Sequence, residues 1–344
     1  MVTDKLTTVD RFGRVADFQE VDRLPVVEWA GYWNKTVDRW RGEGLPDTVA
    51  NAFDIRAYFG LDRWQQFWIR ARGPETPRPP SHGAPIIRSR DEFRSILPTL
   101  FRIDSFTRGD IHRWADEHAR GETLVWTSLD GFFWFPRQLF GIEQHFYAFY
   151  DEPELMHEMN KRLLDYNLEV IEWICRSYTP EFTTIAEDMS YNHGPMLSRA
   201  LFDEFLAPYY RELTVELRRR GIRVVVDSDG DVTEMVPWLS GVGVDGILPL
   251  ERMAGVDVAE LRRRHPRFLM IGAFDKTVMK HGEAAMRREF TRLLPTMRSG
   301  GFIPSVDHQT PPDVSIDTYR LYVRLLKEYA GIAARAAEGC GGDN

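Results

Sequence analysis

The chain has 344 residues and a formal charge of −8, a length that one large α/β domain with insertions normally occupies. Its 43% apolar and 28% charged residues exclude a disordered, collagenous or coiled-coil protein, and the acidic balance disfavours a nucleic-acid groove, which needs excess Lys and Arg. Two cysteines, Cys175 and Cys340, are too few for a disulfide framework or a four-thiolate zinc site.

The opening residues Met1 to Lys5 carry no apolar core of signal-peptide length, and no run of about 18 apolar residues follows, so a cytoplasmic protein outside the membrane is expected. Strands are predicted at 25–29 and 123–127. The residues between them, about 30–120, read as an irregular region with a Pro-rich insertion at 73–80, where proline removes donors and fixes φ. Residues 139–176 read as largely helical. After 180 the pattern becomes regular, with strands at 182–185, 223–227, 246–250, 268–271 and 302–306. Helices near 199–220, 232–240, 257–264, 283–298 and 313–330 separate them. This alternation predicts βα units around a parallel sheet, and residues 336–344 read as a frayed tail. Periodicity alone leaves a closed barrel and an open doubly wound sheet as alternatives.

The basic runs Arg218-Arg219-Arg220 and Arg262-Arg263-Arg264 fall late in predicted helices, where they complement the helix dipole. Gly241-Val242-Gly243-Val244-Asp245-Gly246 matches a dinucleotide fingerprint in letters. It leaves a helix and enters a strand, however, so it supplies no helix N-terminus for a phosphate and reads as a turn.

Chemistry concentrates where strands end. Val224-Val225-Val226 runs into Asp227-Ser228-Asp229-Gly230-Asp231, and if the strand persists to Asp229 both Asp227 and Asp229 share a face. Asp231 is read as a helix cap, and the segment lacks the calcium-loop pattern of Gly at position six and Glu at twelve. Further strand ends carry Glu187-Asp188, then Tyr191 and His193; Glu251; Asp275-Lys276; and Asp307-His308. Each alone could be a cap, a surface pair or a loop tip, but a ring of carboxylates at one end of a sheet needs a metal, a proton or a cation to hold it together. Trp29, Trp33, Trp126, Phe132, Phe133, Trp134 and Phe135 follow predicted strands and are read as packing or, where they reach the mouth, as an apolar substrate wall.

The set Glu187-Asp188-Met189-Ser190-Tyr191-Asn192-His193-Gly194, Ser198, Phe202, Pro208-Tyr209-Tyr210, Asp227 to Asp231, Gly243 to Gly246, Gly272-Ala273-Phe274-Asp275-Lys276, Gly300-Gly301-Phe302 and His308 resembles the uroporphyrinogen decarboxylase superfamily. The likeness is weak before residue 120 and strong after 180. It implies a (β/α)₈ TIM barrel, taken as one domain over 1–335. The superfamily holds the haem-pathway decarboxylase and methyltransferases that use corrinoid proteins and thiols. The decarboxylase's N-terminal arginine motif corresponds here to Pro25 through Trp33, which contains Glu28 and no arginine, so a polycarboxylate tetrapyrrole is disfavoured on charge. The zinc–thiolate set of the thiol-methylating branch has Asp227-Ser228-Asp229 and Asp307-His308 in its place.

The resemblance therefore implies a methyltransferase-like enzyme moving a methyl group between a small molecule and a corrinoid protein or similar acceptor. Asp227, Asp229, Glu251 and His308 would hold zinc or another divalent metal, with Asp227, Asp188 and His308 as catalytic groups. Tyr191, His193, Trp29, Trp33 and Trp126 would bind substrate. The alternatives are a metal-independent decarboxylase or lyase on a small carboxylate and a barrel that only binds a ligand. Family analogy also admits a homodimer.

Overall fold

The computed structural model describes residues 5–103 and 114–334; the tail at 336–344, with Cys340, lies outside them. Among the described residues seven parallel strands form one sheet in the order β1 (Trp64–Ile69), β2 (Leu124–Asp130), β3 (Phe182–Ala186), β6 (Arg223–Asp227), β7 (Gly246–Leu248), β8 (Leu269–Phe274) and β9 (Phe302–Val306). β4 (Ser190–Tyr191) and β5 (Gly194–Pro195) make a separate antiparallel hairpin. Parallel neighbours taken in sequence order need a crossover of the same hand each time, and such repeats curl the sheet. No helix among the described residues is long and apolar enough to cross a membrane.

Several of the expected elements differ. Residues 25–29 form no strand: Trp29 N reaches Ser305 Oγ at 3.3 Å and Val26 N reaches Asp62 Oδ2 at 2.9 Å, so side chains take the donors that a ladder would use. The segment nonetheless touches both edges of the sheet, through Asp62 N to Val26 O at 2.9 Å near β1 and Trp29 Nε1 to Val306 O at 2.7 Å at β9. Conversely, β1 lies inside the region expected to be irregular. The helix expected over 199–220 is two helices, Arg199–Phe205 and Ala207–Arg219, because Pro208 has no N–H for the carbonyl one turn back.

The helix Thr8–Ala16 crosses the N-terminal end of the sheet, tied by Val9 N to Gly121 O at 3.2 Å before β2 and by Gly301 N to Val15 O at 3.0 Å before β9. It seats Phe12 against Trp64 and Phe182, with ring centroids 5.5 and 5.1 Å away, and Trp126 packs on both of those rings. This aromatic floor identifies the concave face. Alternate strand residues share a face, so the side chains above the floor are Gln66 and Trp68 of β1, Ser128 and Asp130 of β2, and Thr184 of β3. Their contacts agree: Gln66 Nε2 donates to Ser128 Oγ at 2.8 Å, and the Ser128 and Thr184 hydroxyls bond each other. The opposite parity, Leu129, Ile185 and Val226, is fully buried and faces the helical layer.

Candidate active site at the strand ends

Three non-glycine residues at strand ends adopt left-handed backbone: Asp188 at φ 41°, Leu250 at 67° and Ala273 at 69°. Such conformations are costly for L residues and persist where the surroundings fix them, characteristically around functional sites. They follow β3, follow β7 and lie within the end of β8, so the strain sits on one rim.

Glu187 shows how that rim is held. Its buried carboxylate accepts the backbone N–H groups of Phe132 at 2.9 Å, Phe133 at 2.8 Å and Trp134 at 3.1 Å, and the Tyr210 hydroxyl at 2.5 Å. These amides open the helix Trp134–Phe140, where free N–H groups need an acceptor. A Cβ on Gly131 would lie 2.2 Å from the Glu187 carboxyl carbon, so glycine is required there by close approach. Burial pushes Glu187 up to about 7 against the pull of those donors. Its role is to lock the β2 and β3 ends together, which the sequence reading left open.

The next residue, Asp188, turns toward the mouth; Arg137 Nη1 holds its carbonyl at 3.1 Å. Burial, then the nearby Asp229 carboxylate, lifts its pKa to about 6. Asp227, at the end of β6, accepts no hydrogen bond on its side chain among the described residues. Burial first, then Asp188 and Asp229, raises its pKa well above the carboxylate range.

Asp229, Glu251 and His308, from the ends of three different strands, each present one ligand atom within 4.8 Å of the others. His308 Nε2 lies 3.6 Å from Asp229 Oδ2, and that carboxylate, with Glu251 behind it, raises the imidazole pKa. Gly230 N donates to Glu251 Oε2 at 2.9 Å, which orients Glu251 and leaves its other oxygen toward the group. The Asp229 loop is in turn pinned by the β4–β5 hairpin: Asp231 N bonds Tyr191 O at 2.8 Å. A Cβ on Gly230 (φ 84°) would meet the Tyr191 backbone at 2.6 Å.

Asp307 plays a different part from its neighbour. It is fully buried and accepts Lys276 Nζ at 3.1 Å, Lys276 N at 3.2 Å and Arg252 N at 3.0 Å. Burial raises its pKa although Lys276 opposes the shift. Lys276 Nζ also stands 3.9 Å from Glu251 Oε1.

The structure gathers Asp227, Asp188, Asp229, Glu251 and His308 at one end of the sheet, but Asp227 is not among the three mutually close ligands. Tyr191 and His193 stand exposed on the hairpin, with their rings 5.6 Å apart. Trp33 is half exposed as the residue before the helix Asn34–Gly42, whereas Trp29 is buried and spends its indole N–H on Val306. Trp126 is in the floor rather than at the mouth, because β2 runs on to Asp130 and places the mouth four residues later. Asp231 Oδ1 accepts Thr233 N at 3.0 Å in a local turn, but the helix begins only at Val236 with Met235 as its N-cap, so Asp231 is not the helix cap expected. Arg70 and Trp68 are not among the residues the sequence points to because β1 lacks apolar alternation, and Asp130 is not because β2 extends three residues past its predicted end.

Residues 118–329 match the family model described as uroporphyrinogen decarboxylase (URO-D). The chain belongs to that family. Among solved structures, a methyltransferase from Methanosarcina mazei superposes with a TM-score of 0.63 over 94% of this chain and 99% of its own, at 12% identity, which establishes a shared fold. An endo-1,4-beta-mannanase from Eisenia fetida superposes with a TM-score of 0.42 at 11% identity, covering 87% and 90% of the two chains. No curated protein sequence matches this one.

Proposed function

We propose that this URO-D family member is a methyltransferase-like enzyme that moves a methyl group between a small molecule and a corrinoid protein or similar acceptor, assisted by a divalent metal at Asp229, Glu251 and His308. One observation carries the reading: these three side chains converge to within 4.8 Å at the strand ends. Two carboxylates and an imidazole suit zinc or a harder divalent ion. At bond lengths near 2.1 Å, tetrahedral ligands stand about 3.4 Å apart, so small rotations of Asp229 and His308, each partly exposed, complete the set. A bound ion there supplies Lewis-acid polarisation of the heteroatom that carries the methyl group.

The chain's own groups do the rest. Asp227 and Asp188 face the same space and present carboxyls that position the substrate; Trp33 and Tyr191 border it. Lys276 and Asp307 fix the floor beneath Glu251. In the same reading, segment 24–30 takes the eighth position of a closed (β/α)₈ barrel, with 1–335 as one domain.

A second reading, a metal-independent lyase or decarboxylase on a small carboxylate, draws on Lys276 Nζ 3.9 Å from Glu251, a cation already beside the trio. Elemental analysis of protein purified without chelator or a metal-binding tag separates the two. Near-stoichiometric metal, lost in both Asp229→Ala and His308→Ala, supports the first; no metal in wild type after reconstitution refutes it and favours the second.

A further inference from the structure

Arg70 follows β1 on the parity of Trp64, Gln66 and Trp68, so it points to the concave side, in the layer of Asp130 and Asp227. Its guanidinium carbon sits 4.0 Å from the centroid of the Trp68 ring. Nη1 reaches the fully buried Asp130 at 3.1 Å, and the second Asp130 oxygen takes Ala71 N at 2.8 Å. The pairing is therefore single-pronged. Nε and Nη2 have no acceptor among the described residues, and the Arg70 side chain is 45% exposed. Trp68 is 41% exposed, whereas the floor rings Trp64, Trp126 and Phe182 on the same face are buried, so this face opens toward the strand ends.

If Arg70 served only to neutralise Asp130, a two-pronged pairing would satisfy both partners better. Instead, the carboxylate anchors one edge, the indole fixes the guanidinium plane, and the N–H groups of Nε and Nη2 remain without an acceptor among the described residues. This is how a planar fork is prepared for a two-oxygen anion.

We propose that Arg70, stacked on Trp68 and braced by Asp130, binds a carboxylate on the substrate, which makes the substrate class a small carboxylic acid rather than a neutral or cationic methyl donor. The inference rests on the proposed placement of substrate at this end of the sheet, but it requires neither metal nor methyl transfer.

The test is calorimetric titration of the full-length protein with benzoate, with its neutral isostere benzamide, and with inorganic phosphate. Benzoate is expected to bind at least about tenfold more tightly than benzamide, and Arg70→Gln to abolish that preference. Because R70Q leaves Asp130 buried without its cation, the double variant R70Q/D130N, neutral at both positions, is read alongside it; it should fold as wild type and also lack the preference. Arg70→Lys, a point charge without the fork, should retain only part of it. Equal binding of benzoate and benzamide, no binding of benzoate up to tens of millimolar, stronger binding of phosphate, or a preference that survives in R70Q/D130N would each overturn the proposal. A positive result in protein that never takes up metal would refute metal assistance while leaving this assignment standing.

Discussion

Replacing Glu187 by leucine tests whether the rim is built as described. The substitution keeps the volume but removes the acceptor of three backbone N–H groups and one hydroxyl, all in a place with no solvent exposure. A buried donor left unpaired costs about 1–3 kcal/mol. The costs do not simply add, because the turn at Gly131 can relax and the helix opening can fray. A total of about 3–5 kcal/mol is expected, at the upper end for single substitutions. For a chain of this size that lowers the thermal midpoint by roughly 5 °C. Glu187→Gln, which keeps one acceptor oxygen but turns an NH₂ toward the amides, should cost less than half as much. Tyr210→Phe, which removes only the hydroxyl, should cost about 1 kcal/mol. Urea denaturation followed by circular dichroism at a fixed pH gives the three values. A loss below about 1 kcal/mol for E187L would mean that water or another side chain satisfies the amides, and the account of Glu187 as the clasp between β2 and β3 would be wrong.

Two further outcomes follow from buried titratable groups. His145 is fully buried among Phe133, Phe146 and Phe149 with neither ring nitrogen bonded among the described residues, and burial, then Arg137, lowers its pKa from 6.5 to about 3. Since the folded state disfavours the charged form, its contribution is fully present above pH 6.5 and is lost as pH falls from there toward 3. The difference in stability between wild type and His145→Phe should therefore move against wild type by up to about 4 kcal/mol over that window, and a pH-independent difference would contradict it. Lys276→Met should destabilise by about 3 kcal/mol at neutral pH by leaving Asp307 buried without its cation. The loss should shrink as acid protonates Asp307, and an equal loss at pH 7 and pH 4 in denaturant titrations would show that Lys276 acts through packing instead.

The second half of the chain was legible because its strands are β-branched or apolar runs closed by charged residues; residues 223–227 and 302–306 were located to the residue. The first half was not, and the reasons are physical. Trp64-Gln65-Gln66-Phe67-Trp68-Ile69 carries glutamines in the middle of a strand because Gln66 bonds Ser128 inside the curled sheet, so the apolar alternation that announces a strand is absent. Pro25 to Trp29 has the composition of a strand, yet Asp62 and Ser305 intercept its donors. Trp126 is a floor residue because β2 runs to Asp130, three residues past the predicted end, and it is Asp130, with Arg70 on it, that stands at the mouth. What sequence cannot supply is the partner of each carboxylate, since Asp130–Arg70, Asp307–Lys276 and Glu187–Tyr210 are all distant in the chain.

Those partners decide which acidic residues are free for chemistry. A carboxylate whose oxygens are filled by protein donors is structural, however near the mouth it lies. Glu187 is filled by three amides and a hydroxyl; Asp307 by an ammonium and two amides; Asp130 by a guanidinium and an amide. Glu28, buried beside β9, is filled by the Ser305 and Tyr319 hydroxyls and so does not extend the ring of acids toward the sheet's far edge. After this accounting the strand ends retain Asp188, Asp227, Asp229, one oxygen of Glu251 and the ring nitrogen of His308 facing Asp229. The ring of acids inferred from the sequence thus resolves into a structural set that holds the strained rim and a smaller set with unused capacity. Only the smaller set can exchange a proton, a ligand or a substrate without first breaking the fold.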